Sequence, residues 1–360
     1  MKRKGGKIGF SFLFLKNGKR RKEEDNMKNK KEFFDYVMKN VRMYLPPSFE
    51  DAQVFIEVKE KENGRKVPVL LVMRREEPSL PCIPLEEAYR DYVEGDDLDI
   101  CVRKIADLRM KYDHLEYLAD LSYTSDYEKV KGRLMIKLCD PELNHGWLEN
   151  KIYTVHGDFA AVYYVRLCEE REKIFSMPVT KQLMEKWEVT LKQLHKDALL
   201  SERAKQAFLF TMDDYWRTVR TESERSRNLL DRKTKWHPEM AETPMLCLTN
   251  RNMTNGASMI LQKDIMKQAG EIIGSDFYVL PSSIHETLLV PIGIMDVSGL
   301  LQMVKEVNEA EVELCDQLSD KVQYYDRKKG TLENAERRNQ KSTFFIMNGE
   351  FYTGKESSAA

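Results

Sequence analysis

The sequence predicts an α+β fold: repeated antiparallel β-hairpins covered by amphipathic helices. Paired β-rich runs carry the first half of that reading. Residues 53–60 and 67–74 flank Asn63-Gly64, a dipeptide suited to a type I′ turn, and residues 277–280 and 284–290 flank Pro281-Ser282-Ser283. Helical stripes carry the second half. Leu98, Cys101, Val102, Ile105 and Leu108 follow the first pair, and Leu300, Leu301, Val304 and Val307 follow the last. Composition agrees: 42% hydrophobic and 32% charged residues suit a real core under a solvated surface, and 360 residues give room for two or three compact units.

In chain order, residues 1–30 read as a basic extension without fixed structure. A first α+β unit spans 31–125. Its opening helix carries Phe34, Val37, Met38, Val41 and Leu45 on one face and is stopped by Pro46-Pro47. The Asn63-Gly64 hairpin follows, then a short helix over 85–92 ending near Gly95, then a helix capped by Asp96 or Asp97. The middle α+β unit, 126–205, has strands over 133–139 and 160–168 and helices capped by Thr180 and by Thr190 with Gln193. Residues 206–243 turn polar and read as a helical, charged linker, with Phe208, Met212, Tyr215 and Val219 on one amphipathic helix. The last unit, 244–326, reads ββαββα. Strands at 245–249 and 257–261 precede a helix ended by Gly274; the Pro281 hairpin, a helix opened by Ser298 and a short strand at 322–325 complete it. Beyond Asp326 the chain is polar, and 327–360 is expected to be a disordered tail.

Charge is distributed unevenly. Residues 1–31 hold twelve Lys or Arg against Glu23, Glu24 and Asp25, a net of +9, while the whole chain is formally −1 and the rest therefore −10. An acidic body argues against a nucleic-acid-binding face, except through the basic extension. The apolar run 8–15 is only eight residues, lacks a small-residue cleavage site after it and is too short to span a bilayer. The six cysteines are far apart with no CxxC spacing, as expected of a reduced cytoplasmic protein without disulfides or a zinc site. No glycine-rich phosphate loop is present, and no cofactor is expected.

Candidate chemistry lies in the last hairpin, where Ser282, Ser283, His285 and Glu286 fall together. A hydrolase would need a base within reach of a serine hydroxyl and an acid to orient that base. On an extended strand Ser283 and His285 share a face, but His285 and Glu286 point to opposite faces, so the adjacent glutamate cannot orient the histidine. No Gly-x-Ser-x-Gly elbow occurs. The six histidines show no HxH or HxxxH spacing, no metal site is expected, and His145 and His156 read as turn residues. This favours a non-catalytic protein-binding or regulatory role, with the hydrolase as the alternative. Sheet edges would take a protein partner, and Tyr163, Tyr164, Tyr278, Tyr324 and Tyr325 are candidates for aromatic contacts or for packing.

The hairpin, with Leu248-Thr249-Asn250 and Asn255-Gly256-Ala257 upstream, resembles the C-terminal core of domain-of-unknown-function family 5688, known from anaerobic Firmicutes. Arg74-Arg75-Glu76-Glu77, Ile83-Pro84-Leu85-Glu86, Tyr92-Val93-Glu94-Gly95, Trp187 and Ser319-Asp320 before Tyr324-Tyr325 extend the resemblance over residues 30–327. The Leu-Pro-Ser-Ser-Ile-His-Glu stretch is also distantly similar to family 1444. Where family 5688 tends to have a Tyr-Pro-Gly turn, Gln262-Lys263-Asp264 stands here, which implies a less rigid loop. The resemblance implies a fold and a bacterial cytoplasmic setting, and it carries over no catalytic residues.

Overall fold

The computed structural model describes residues 23–75, 81–113, 121–170, 173–203, 205–221, 228–231, 235–281 and 283–339. The basic extension as far as residue 22, Ser282 and the chain after residue 339 lie outside them.

The α+β reading holds, with three antiparallel sheets. Strands β1 (Gln53–Glu60), β2 (Lys66–Met73) and β3 (Ile83–Pro84) form the first. Asn63 and Gly64 take φ of 61° and 68°, the left-handed pair a type I′ turn requires, and this sets the register Glu60↔Lys66 to Gln53↔Met73. Helices Glu23–Asn40, Glu86–Glu94 and Leu98–Asp113 cover it with Phe33, Val37, Ala88, Cys101, Val102 and Ile105. The first helix ends as α-helix at Asn40, six positions before Pro46, and continues as one 3-10 turn over Val41–Tyr44. The Gly95 N–H donates to the Tyr92 carbonyl at 3.1 Å and closes the second helix, with Gly95 at φ 117°.

The second sheet holds β4 (Leu134–Cys139), β5 (Tyr153–His156), β6 (Phe159–Glu170) and β7 (Lys173–Pro178), all paired on β6. The third has six strands in the order β13-β12-β10-β11-β9-β8, built from β8 (Ala207–Thr211), β9 (Leu246–Asn250), β10 (Phe277–Leu280), β11 (Thr287–Pro291), β12 (Gln323–Asp326) and β13 (Thr331–Asn334). One continuous core joins these two sheets. Leu134, Ile136 and Leu138 of β4 and Phe159, Ala161 and Tyr163 of β6 meet Leu209, Leu246, Leu248, Val279 and Leu289, with Leu194, Ala198, Met266 and Ala269 from helices Leu191–Arg203 and Lys263–Ile273. The opposite face of the six-stranded sheet, Cys247, Leu280, Val290 and Tyr324, lies under Met212, Val297, Leu300 and Val304. Both faces are therefore dry, which is why β10 and β11 read as continuous apolar runs rather than alternating ones.

A buried carboxylate pins this junction. Glu202, near the end of the helix Leu191–Arg203, is fully buried and accepts from the Ile136 N–H of β4 at 3.3 Å, from Ser258 Oγ at 2.8 Å and from Lys205 Nζ at 2.7 Å. A second polar joint ties the first unit in. The Asn63 N–H donates to Asn144 Oδ1 at 2.7 Å, and Asn63 Nδ2 donates to the carbonyls of Leu314 and Gln317, both at 2.8 Å. Buried Asp140 accepts from Ser319 Oγ at 2.6 Å and from Lys321 Nζ at 3.1 Å.

Four local readings change. Residues 207–211 form strand β8, and the helix begins at Met212–Thr221. Consecutive Phe208, Leu209 and Phe210 are all buried, so the run is a core strand covered on both faces, and Phe208 belongs to it and not to the helix stripe. Residues 257–261 belong to the 3-10 helix Gly256–Leu261, where Ala257 to Ile260 are all buried and Ser258 Oγ also bonds back to the Asn255 carbonyl at 3.0 Å. Asp296, not Ser298, caps the helix Val297–Ala310, accepting from Gly299 N–H at 2.7 Å. The chain stays ordered past Asp326, because β13 pairs on β12 and Asn334 Nδ2 donates to Asp158 Oδ2.

Candidate functional site

The last hairpin forms as the sequence indicates, with Phe277↔Pro291 to Leu280↔Leu288 in register, but β11 starts at Thr287 instead of residue 284. Ser283 is the reason. Its buried hydroxyl oxygen accepts from the N–H groups of His285 at 2.9 Å and Glu286 at 3.3 Å, taking both out of the ladder, and its own O–H donates to Glu286 Oε1 at 2.8 Å. The loop is then held from outside. Ile284 N–H donates to the Asp316 carbonyl at 2.8 Å, Ala257 N–H to the Ile284 carbonyl at 3.2 Å, and Thr249 Oγ1 to the His285 carbonyl at 2.8 Å.

His285 is gripped on both ring nitrogens. The Asn255 backbone N–H donates to Nδ1 at 3.2 Å, which fixes the proton on Nε2, and Nε2 faces Asp316 Oδ1 at 3.4 Å. The histidine beside it holds the Asp316 carboxyl below its ordinary range. Asn255 itself sits at φ 52°, a left-handed turn that aims its N–H at the ring. The strand alternation expected for residues 284–286 does not apply, because they form a bend ahead of β11; within it the Glu286 carboxylate bonds Ser283. Thus Ser283, His285 and Glu286 are brought together as a turn, with Ser283 serving the backbone.

Asp316, Asn255 and Thr249 complete this cluster and were not singled out as site residues by spacing. Asp316 stands 31 positions after His285 in a polar loop, and only the pairing of β12 on β10 returns it. Of the five tyrosines considered for aromatic contacts, Tyr163, Tyr164, Tyr324 and Tyr325 are buried in the sheets, and Tyr278 is half-buried.

A second histidine cluster arises where none was expected. His145 is exposed, but His156 on β5 stacks on His195 of the helix Leu191–Arg203, with centroids 4.7 Å apart and planes at 21°. Thr154 Oγ1 bonds His156 Nε2 at 2.8 Å and Tyr163 OH at 2.5 Å, and Tyr163 OH bonds His195 Nδ1 at 2.8 Å. Burial lowers the pKa of both rings from the ordinary 6.5, and the charges of His195 and Lys263 lower His156 further. Below that value the unfolded chain takes up more protons than the fold, so stability is whole above about pH 6.5 and declines as pH falls through the window beneath it. The lowered carboxyls of Asp158 and Asp316 act only below their ordinary 3.8. The urea midpoint should therefore drop between about pH 7 and pH 5, and the drop should shrink in His195→Phe. An equal drop in parent and variant would place the titration elsewhere.

Among the described residues no three His, Cys, Asp or Glu side chains are grouped to hold a metal ion, and no helix is long and apolar enough to cross a membrane. None of the six cysteines is in a disulfide, and Cys101, Cys139 and Cys247 are buried; burial pushes the Cys139 thiol up to about 12. No curated protein and no solved structure matches the chain. One family does, over residues 30–327, a span that includes the Ser283 turn, the Asn255 loop and Asp316. The chain belongs to the family of unknown function DUF5688.

Proposed function

We propose that this is a non-catalytic binding or regulatory protein of the bacterial cytoplasm whose ligand is another protein. The observation that supports this is the closure of the hairpin loop's hydrogen bonds. The Ser283 hydroxyl, both nitrogens of His285 and the Glu286 carboxylate each have a partner inside the fold, as structural groups do. Repeated hairpins also leave sheet edges on which a partner's strand can pair. One contact favours the hydrolase alternative: Asp316 faces His285 Nε2 as an orienting acid would. The nitrogen then left for base chemistry is Nδ1, where the Asn255 N–H sits, and the Ser283 O–H is directed at Glu286.

His285→Ala removes the acceptor of a backbone N–H and should lower stability by about 1–3 kcal/mol in urea unfolding. The full chain should turn over no chromogenic ester, amide, phosphoester or glycoside. Turnover lost in both Ser283→Ala and His285→Ala, with His285→Ala melting like the parent, would replace this reading by the hydrolase. On the binding side, a partner cross-linked in a bacterial host should bind again when both proteins are purified; failure across all captured candidates would sink the binding role.

A further inference from the structure

The open edges of the three sheets are not alike. β1 carries Glu57, Lys59 and Glu60. The outer side of β4 lies under Glu202, and that of β8 is filled by buried Asn228, which accepts from Leu209 N–H at 2.9 Å and donates to the Ala207 carbonyl at 3.0 Å. β13 carries Glu333, and β7 begins with Lys173 and ends with Pro178. Charges, prolines and side-chain caps are what keep sheet edges from pairing with other chains. β5, Tyr-Thr-Val-His, has none of them, and its Tyr153 and Val155 are 36% and 60% exposed.

Parity fixes what this edge offers. Tyr163 N–H donates to the Ile152 carbonyl at 3.3 Å, so Ile152, Thr154 and His156 direct their backbone groups to β6. Tyr153 and Val155 direct theirs outward. Their side chains share the sheet face opposite to Thr154 and His156, which bond and stack inward on Tyr163 and His195.

We propose that β5 joins two copies of this chain edge to edge about a two-fold axis, making one continuous antiparallel sheet. With the axis at Thr154, Tyr153 of each copy stands opposite Val155 of the other, and each Tyr–Val pair exchanges both backbone hydrogen bonds through the outward groups. Thr154 meets Thr154 of the second copy at the narrow position between them. Aromatic with β-branched and threonine with threonine are favourable cross-strand pairs. The strand itself brings no charge against its own copy. Lys151 comes opposite Gly157, which offers no side chain to obstruct it, one position from the acidic Asp158. This inference stands apart from the binding role, since a dimer accords with that role and with an enzyme alike.

Sedimentation of the full chain over about 1 to 100 µM tests it, because a short edge contact makes association depend on concentration. The mass should rise from 42.3 kDa toward twice that value. Val155→Lys sets ammonium groups on the shared edge while leaving the bonds to β6 in place, and should hold the mass at 42.3 kDa with unchanged circular dichroism. Val155→Thr keeps the branch at Cβ and should keep the dimer. If Val155→Lys fails to fold, Tyr153→Lys gives the same readout from the neighbouring outward position. A parent chain that stays monomeric throughout overturns the proposal, as does a dimer that survives the lysine variant.

Discussion

Glu202→Ala should destabilise the protein by about 3–5 kcal/mol, the loss expected when one member of a buried ion pair is removed and the other stays. The side chain of Lys205 is only 7% exposed, and the Ile136 N–H would lose its acceptor on the outer side of β4. Ser258 would suffer least, since the Asn255 carbonyl remains within 3.0 Å. The arithmetic also predicts a rescue. Removing both charges in Glu202→Leu with Lys205→Met should recover much of the loss, because no unpaired charge is then buried. Urea unfolding of the single and double variants decides it, and a single variant within about 0.5 kcal/mol of the parent would mean that water reaches the pair.

Gly256→Ala should be comparably severe, at about 3 kcal/mol, although it adds one methyl group. An added Cβ would sit 2.2 Å from Thr249 Oγ1, 2.4 Å from the His285 carbonyl oxygen and 2.7 Å from the Asn250 nitrogen. Two of these three are backbone atoms, held by β9 and by the Ser283 turn, so neither can swing aside. Gly132→Ala is the control: nothing lies within 4 Å of its added carbon, and its effect should stay within about 0.5 kcal/mol. Equal melting midpoints for the two variants would show that the hairpin loop and the Asn255 turn are not in fixed contact.

Much of the fold was legible because its signals are local. The Asn63-Gly64 turn dictated β1 and β2 to within a residue, and Gly274, at φ 83°, ended its helix as the sequence indicated. Thr180 capped its helix through the Leu183 N–H at 3.2 Å. Strands β5, β7 and β13 escaped notice for one reason. Each is short and polar or mixed, and each exists because a neighbour, β6 for β5 and β7 and β12 for β13, supplies the other half of its hydrogen bonds.

The candidate site was half legible. The extended strand expected at His285 and Glu286 is a turn held by Ser283, and the residues that hold His285 come from a turn 30 positions earlier and a loop 31 positions later. The His156–His195 stack was hidden in the same way, because a helix from later in the chain brings His195 to His156 of β5 and Tyr163 of β6. Sheet order creates such meetings, and no spacing along the chain announces them.

The stretch between the helix Val297–Ala310 and β12 looks like the sort of surface loop in which insertions and deletions accumulate. It is instead engaged at successive positions by different parts of the molecule: Leu314 and Gln317 by Asn63, Asp316 by Ile284 and His285, and Ser319 by Asp140. A single inserted residue would shift every later anchor out of reach of its mate. Length variation among relatives should therefore gather at other bends, such as the exposed turn at Gly132, leaving this segment constant in length even where its residues differ.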